Sequence, residues 1–534
     1  MTAAMTSRIL IADPLDAGGV ELLRASGAHV HELAAAERPR LHEIVADYDA
    51  LVVRSSTQVT AELLAAGRRL KVVGRAGIGV DNVDVSAATD RGVLVVNAPT
   101  ANLLSATEHT FALLLALARN VAAADAALKA GSWDRKPFLG VELQGKTMGI
   151  IGFGRIGQKV AARARAFDMR VIAYDPFLDA QAARRLEVEL LPLEELLPRA
   201  DVVTLHTPLT AETRGLLNAQ RLAAMKPSAL LVNCSRGGVV DEAALLAALE
   251  AGRLGGAGLD VFAEEPPKDF ALIRHRRVVA TPHLGAQTRE AQERISTEAA
   301  EMVLAALAGS LTVAAVNLPF RSAGARAEPF LALAEQLGSM AGQLLGSAPQ
   351  RLEVGLWGID EPLRVPITVA AVKGLLSSFL GAGVNYVNAE RLAESRGIEV
   401  VRSTHSGPSD YPQLIGVAVG GSGGRVDLGG SLFGEGDPRV VRFGGFRLEF
   451  RPAGKLLVLE NRDRPGVVGR LGTLLGAAGI NIADIHLARR GAPSGEALAL
   501  AVLRLDQEPG DEVLASLAAL PEVLSVHRVD LGRS

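Results

Sequence analysis

Short runs of β-branched and leucine residues, each followed by a stretch with apolar residues at helical spacing, recur along the first 280 residues. The runs at 8–12, 50–53, 71–74 and 93–97 read as buried strands, with helical stretches at 17–26, 38–47, 60–66 and 84–91. Parallel strands need crossover helices, so this rhythm predicts a parallel sheet covered on both faces. A long amphipathic helix is expected from about residue 103 to 119, and a shorter one before Gly131. The rhythm then restarts at 147–151 and continues through 170–174, 201–206, 229–233, 256–261 and 277–280, predicting a second doubly wound unit. The helical stretch 288–308 brings no new strand and is expected to return the chain to the first unit.

From about residue 321 the texture changes. A helical segment at 330–345 and mixed segments to about 399 precede a glycine-rich run at 414–450, whose alternation predicts an antiparallel meander. The last eighty or so residues read as strand, helix, two strands (480–489 and 496–505), helix (511–519) and strand (523–529), a ferredoxin-like βαββαβ order. At roughly 150 residues per domain, a chain of 534 holds three or four domains. The expected fold class is α/β: two Rossmann-like units, an α+β intervening unit and the ferredoxin-like tail. The expected boundaries are 1–100 plus 287–320, 101–286, 321–452 and 453–534.

Composition excludes several functions. Lys+Arg 56 against Asp+Glu 59 leaves a net charge of −3, so no basic excess points to a nucleic-acid partner. The longest apolar run, Phe111 to Ala118, falls short of the ~20 residues that span a bilayer. No long apolar segment precedes Asp13, so no secretory signal is expected. The single cysteine, Cys234, cannot form an internal disulfide, and a cytosolic protein is expected.

The chemistry starts at Gly152-Phe-Gly154-Arg155-Ile156-Gly157, directly after the strand 147–151 and opening a helix at 156–168. Gly152 permits the tight turn, Gly154 admits a pyrophosphate close to the backbone, and Gly157 lets helix and strand pack closely. The next strand ends at Asp175, where a carboxylate suits ribose hydroxyls and repels a 2′-phosphate, so NAD is favoured over NADP. Polar residues recur at later strand ends, where open α/β sheets bind ligands: Thr207, then Cys234-Ser235-Arg236, then Asp260, then His283. Gly237-Gly238 after Arg236 can bring backbone close to a ligand, while Cys234 reads as a packed small residue rather than a nucleophile. Arginine, carboxylate (Glu265) and imidazole beside a NAD site suit oxidation of an alcohol to a ketone. Histidine takes the hydroxyl proton, the carboxylate fixes its tautomer, and arginine clamps a substrate carboxylate. No metal is needed, and no ligand cluster with metal spacing appears in the sequence.

At these residues the chain resembles the D-2-hydroxyacid dehydrogenase family. The motifs are AGIGVDNVD (76–84), GFGRIG (152–157), NCSRGG (233–238), GLDVF with EEP (258–266) and TPHLGAQT (281–288), in the family's order. The resemblance implies a catalytic triad of Arg236, Glu265 and His283. It implies cofactor contacts from Gly152, Gly154, Arg155, Ile156, Gly157, Asp175, Thr207, Cys234, Ser235, Arg236, Asp260 and the loop His283, Leu284, Gly285, Ala286. It also implies a discontinuous substrate domain into which the NAD-binding domain is inserted.

Within the family the match is closest to the long-form phosphoglycerate-oxidising members. This implies 3-phosphoglycerate as substrate, met by Arg54, Ser55, Arg75, Gly77, Ile78 and Asn102, with Arg135 resembling a residue that reaches a neighbouring subunit's site. The tail resembles an ACT domain, an amino-acid-sensing module that commonly binds its ligand at a dimer interface. Asn461, Asp463 and Asn481 are the candidate effector residues, L-serine is the expected effector, and a homotetramer, or at least a homodimer, is the expected assembly. The segment 321–450 carries no readable chemical motif and is a candidate second effector or assembly site, with an anion as its ligand. Other readings are a dehydrogenase for glyoxylate, hydroxypyruvate or another 2-hydroxy acid, with 2-oxoglutarate reduction as a side activity, and a NAD-sensing corepressor-like scaffold.

Overall fold

The computed structural model describes residues 6–311, 315–320, 326–407, 410–434, 436–491 and 497–532. The expected boundary at 321 and the first residue of the strand expected at 496–505 lie outside them. Among the described residues, four sheets organise the chain. The first has five parallel strands in the spatial order His29–Glu32, Arg8–Ile11, Ala50–Val53, Val72–Arg75, Leu94–Asn97. Four of these match the apolar runs of the sequence. His29–Glu32 was not expected: it is a partly exposed edge strand that carries two histidines and a glutamate.

The second sheet has seven parallel strands and is wound in both directions from Thr147–Ile151. Arg170–Tyr174 lies on one side of that strand and Val202–Leu205 on the other. The strand order therefore reverses where Gly152 meets His206 and Thr207, the place at which such sheets bind ligands. The first sheet reverses likewise between Arg8–Ile11 and Ala50–Val53, which sets Asp13 and Arg54 side by side.

Arg289–Leu307 crosses back to the first unit, as expected. It packs on the helix Ala17–Ala25 and on the strands Val72–Arg75 and Leu94–Asn97, sharing a buried core with Ile9, Val20, Leu23 and Val72. The C-terminal strand ends of the two sheets then face each other across one cleft.

The intervening unit is a six-stranded sheet. Glu399–His405 runs parallel to Pro349–Trp357, and the other neighbours are antiparallel, including the expected meander. Two packed helices, Glu328–Leu345 and Glu361–Leu380, form its core. The second is long and apolar enough to cross a membrane, but it is spent as a buried core helix. The tail forms the expected βαββαβ unit with a four-stranded antiparallel sheet.

The units also touch. Asn385 Nδ2 donates to Gly92 O at 2.7 Å and Arg391 Nη1 meets Asp90 Oδ1 at 2.5 Å, tying the intervening unit to the first. Gln343 Nε2 donates to Asp530 O at 2.9 Å, tying it to the tail.

Leu23 is fully buried between the helix Ala17–Ala25 and the core beneath Arg289–Leu307. Leu23→Ala should lower the unfolding free energy by about 2–5 kcal/mol through cavity formation. Denaturant unfolding checks this, and an unchanged midpoint would contradict the packing.

Candidate active site

Asp260 directly follows the buried strand Gly256–Leu259 and is fully buried itself. Its carboxylate accepts from Thr281 Oγ1 (2.6 Å), Leu284 N (2.7 Å) and Gly285 N (2.8 Å), and His109 Nε2 lies 3.1 Å away. Burial works to raise this carboxyl, but the hydrogen bonds from His109 and Thr281 prevail and hold it below the usual range. The turn so pinned carries His283 with φ 54°, a left-handed conformation that a non-glycine residue keeps only when its surroundings enforce it.

His283 Nδ1 lies 2.7 Å from Glu265 Oε2, and Glu265 Oε1 accepts from Phe262 N at 3.0 Å. Burial pushes Glu265 upward, yet the His283 contact and the Phe262 amide bring it below its ordinary value. The ionised carboxylate only accepts, so the imidazole carries its proton on Nδ1 and presents Nε2 as a base. The Glu265 hydrogen bond in turn raises the His283 pKa, with burial opposing it.

Arg236 faces the same space from the next strand end. Asn233 Oδ1 accepts from Ser235 N and Oγ, and Asn233 Nδ2 donates to Arg236 O at 3.0 Å, so the carrier loop is held. Cys234 lies beside it with a thiol pushed up to about 12 by burial and by Asp260. It is a packed neutral group and no nucleophile. His206, half-buried at the wall of the cleft, is pulled down to about 3 by burial and is neutral too.

Across the cleft stand Arg54, Ser55, Arg75, Gly77, Ile78 and Asn102, all lining one space of about 980 Å³ with Arg236, Glu265 and His283. Arg75 is pulled down to about 10 by burial and by the charges of Arg236 and Arg54. It remains protonated at neutral pH, and three crowded guanidinium groups make a place for an anion. Arg135 is exposed and does not line this cleft.

The residues expected to meet NAD fit it. Gly152 has φ 91°, and a Cβ there would fall 2.6 Å from His206 O, so only glycine makes this turn. A Cβ on Gly154 would meet nothing within 4 Å, which leaves open space before the helix Arg155–Ala166 and its first-turn N–H groups. Asp175 accepts from Phe153 N (2.8 Å) and Phe177 N (2.9 Å), which leaves each oxygen a further lone pair for a ribose hydroxyl. Thr207 Oγ1 is buried without a partner among the described residues, and Ile156, Ala286, Ser235 and Gly285 line the cleft beside it.

The candidate effector residues do not converge within one chain. Asn461 is buried and donates to Arg462 O, and Asp463 pairs with Arg489 at 3.3 Å. Asn481 is exposed and donates to Asp506 Oδ2 at 2.7 Å. Arg462 pairs with Leu498 while Ile482 pairs with Leu505, so the two ends lie about 23 Å apart along the strand between them. A separate cavity of about 260 Å³ lies between the intervening unit and the tail, lined by Arg439, Arg451, Arg504, His486 and Asp484 among others.

Sequence reading missed His109, Asp81 and Asn82. His109 lies 151 residues from the carboxylate it meets, and no local pattern marks it. Asp81 and Asn82 sit inside the 76–84 motif, and the signal is an acidic and an amide side chain between Ala76–Val80 and Val83, all small or apolar.

Because Glu265 raises the His283 pKa, Glu265→Gln should move that titration to lower pH. The pH dependence of His283 carbethoxylation, followed by peptide mass spectrometry, checks this. An unmoved midpoint would contradict the pairing.

Three family models match: the D-isomer specific 2-hydroxyacid dehydrogenase NAD binding domain over 111–285, the D-3-phosphoglycerate dehydrogenase intervening domain over 326–444, and the ACT domain over 455–522. The chain is 41% identical over 528 residues to a D-3-phosphoglycerate dehydrogenase of Methanocaldococcus jannaschii, covering 98% of this chain and 100% of the relative. The same-named protein of Mycobacterium tuberculosis is 44% identical, with 98% and 99% covered. Among solved structures, D-lactate dehydrogenase from Aquifex aeolicus complexed with NAD and lactic acid matches with TM-score 0.51 and 29% identity, covering 57% of this chain and 96% of that one. With a NAD-binding unit, an intervening unit and an ACT domain in that order, the chain belongs to the D-3-phosphoglycerate dehydrogenase family.

Proposed function

We propose that the protein oxidises (2R)-3-phosphoglycerate to 3-phosphooxypyruvate with NAD, the entry step of L-serine formation. The observation that carries this reading is the placement of cations on both walls of one cleft. Arg236 stands on the wall of His283, and Arg54 with Arg75 on the other, which suits a substrate that is a carboxylate at one end and a phosphate at the other. Full-length similarity to relatives that bear this name supports it.

NAD, when bound, supplies the acceptor for the hydride that leaves C2. Gly152, Gly154, Arg155, Ile156 and Gly157 would hold its pyrophosphate, Asp175 its ribose, and Thr207, Cys234, Ser235, Asp260 and the loop His283, Leu284, Gly285, Ala286 its nicotinamide end. Arg236 holds the substrate carboxylate and His283 Nε2 takes the hydroxyl proton. Glu265 keeps the imidazole in that tautomer and stabilises the imidazolium that forms. Ser55, Gly77, Ile78 and Asn102, whose Oδ1 is buried without a partner among the described residues, complete the substrate wall. In this division of labour 1–100 with 287–320 is the substrate domain, 101–286 the NAD domain, 321–452 the intervening domain and 453–534 the sensor.

The sensor reading takes L-serine as effector between two copies. Ile485 and Leu487 are 39% and 50% exposed on the edge strand Ile482–Arg490. Antiparallel pairing of that edge with itself brings Asn481 of one copy to the Asp463 end of the other, which resolves their separation within one chain. Near Arg135, Trp133 and Leu139 are 83% and 90% exposed and fit a second interface, by which Arg135 enters a neighbour's cleft and the assembly becomes a homotetramer. The arginines around the cavity between intervening domain and sensor suit an anion as second effector. The reading places this metabolic enzyme in the cytosol.

NADH absorbance at 340 nm over a panel of 2-hydroxy acids tests the substrate. Phosphoglycerate should exceed glycerate and lactate in kcat/KM by about 100-fold or more, as a charge-assisted contact worth roughly 3 kcal/mol implies. Arg236→Ala should abolish most of the rate. A preference for unphosphorylated acids would favour a glyoxylate or hydroxypyruvate reductase, and a wild-type protein that binds NAD without turnover would favour a scaffold. Millimolar L-serine should lower initial rates, an effect lost in Asn481→Ala; rates indifferent to serine would count against the sensor reading.

A further inference from the structure

We propose that Asp81 is a positioning residue that aims the Arg236 guanidinium across the cleft, an inference that rests on Arg236 holding the substrate carboxylate. Asp81 Oδ2 accepts from Arg236 Nε at 3.0 Å, joining two residues 155 apart in sequence and on opposite walls of the cleft. The other flank of the guanidinium is held as well, since Nη1 donates to Ser235 O at 2.7 Å. Nη2 passes over Gly79, where a Cβ would fall 2.1 Å from it, so the backbone there leaves room for the arginine that any side chain would take away.

A guanidinium has five N–H donors in one plane. With Nε held by Asp81 and one Nη1 hydrogen by Ser235 O, the hydrogens between Nη1 and Nη2 remain as an end-on fork, the geometry that receives a carboxylate on two parallel bonds. Asp81 therefore leaves the receiving edge of Arg236 open and fixes its direction.

The carboxylate is itself on a rigid rim. Its neighbour Asn82 donates through Nδ2 to Arg54 O (2.7 Å) and Thr57 O (2.6 Å), and Val59 N donates to Asn82 O at 2.8 Å. Those segments are fixed by buried Asp13, which accepts from Arg54 N, Thr57 N and Thr57 Oγ1. Asp81 thus reports the position of the first wall to a side chain of the second. Its side chain is 62% exposed, and an ion pair so placed contributes little to stability, so its effect lies in orientation.

The test is a double-mutant cycle on the full-length enzyme. Asp81→Asn should lower kcat/KM for phosphoglycerate about 10- to 30-fold while the KM for NAD and the Tm stay unchanged, and Asp81→Glu should recover part of the loss. In an Arg236→Lys background, which has no Nε to aim, Asp81→Asn should cost little more. An unchanged kcat/KM, a lowered KM for the substrate (Asp81 competing with it), a fallen Tm, or losses that multiply fully in the double variant would each overturn the proposal. If the wild type prefers another 2-hydroxy acid, the phosphoglycerate reading fails, and the same cycle run on that acid still decides the role of Asp81.

Discussion

The carboxylate of Asp260 is buried at the tip of the second sheet, and two amides, a hydroxyl and the His109 ring converge on it. Few arrangements satisfy a buried charge, and this one does so by wrapping the turn 281–285 around it. The left-handed backbone of His283 follows from that wrapping, and so does the reach of its ring to Glu265. Because His109 lies on the long helix Leu103–Ala118, the turn is also tied to an element that enters the second unit directly from the first. A fixed imidazole is therefore a consequence of how one buried carboxylate is paid for.

The second requirement is that two sheets present their C-terminal strand ends to one space. Each contributes what the other lacks: the first brings Arg54 and Arg75, the second Ile156, Arg236 and the His283–Glu265 pair. Burial first, and then the charges of Arg236 and Arg54, lower the pKa of Arg75, and an anion between these arginines offsets both costs. Binding and charge relief then act together, and domain closure around the anion is the motion expected of such a cleft.

Much of this was legible from the chain. Strands buried on both faces read as continuous apolar runs, and the glycine fingerprint, Asp175 and the strand-end residues stood in their required contexts. The helix Glu361–Leu380 escaped because it is buried nearly all round, which erases the 3.6-residue period, and because Pro362 and Pro366 read as breakers although both fall in its first two turns. The strand Glu189–Leu190 has only two residues and no pattern to detect. Within the site, the triad and the arginines were named from motifs, whereas Asp81 and His109 act on partners more than 150 residues away, pairings that only the folded topology creates. The effector residues show the converse: the resemblance to an ACT domain named them together, and the strand register sets Asp463 and Asn481 at opposite ends of the sheet.

A crystal structure of the enzyme with NAD and (2R)-3-phosphoglycerate measures the central geometry directly. His283 Nε2 should lie within about 3.2 Å of the C2 hydroxyl, with the carboxylate on Arg236 and the phosphate between Arg54 and Arg75. A substrate bound with its hydroxyl out of reach of His283, or with the two charged ends exchanged between the walls, would contradict it.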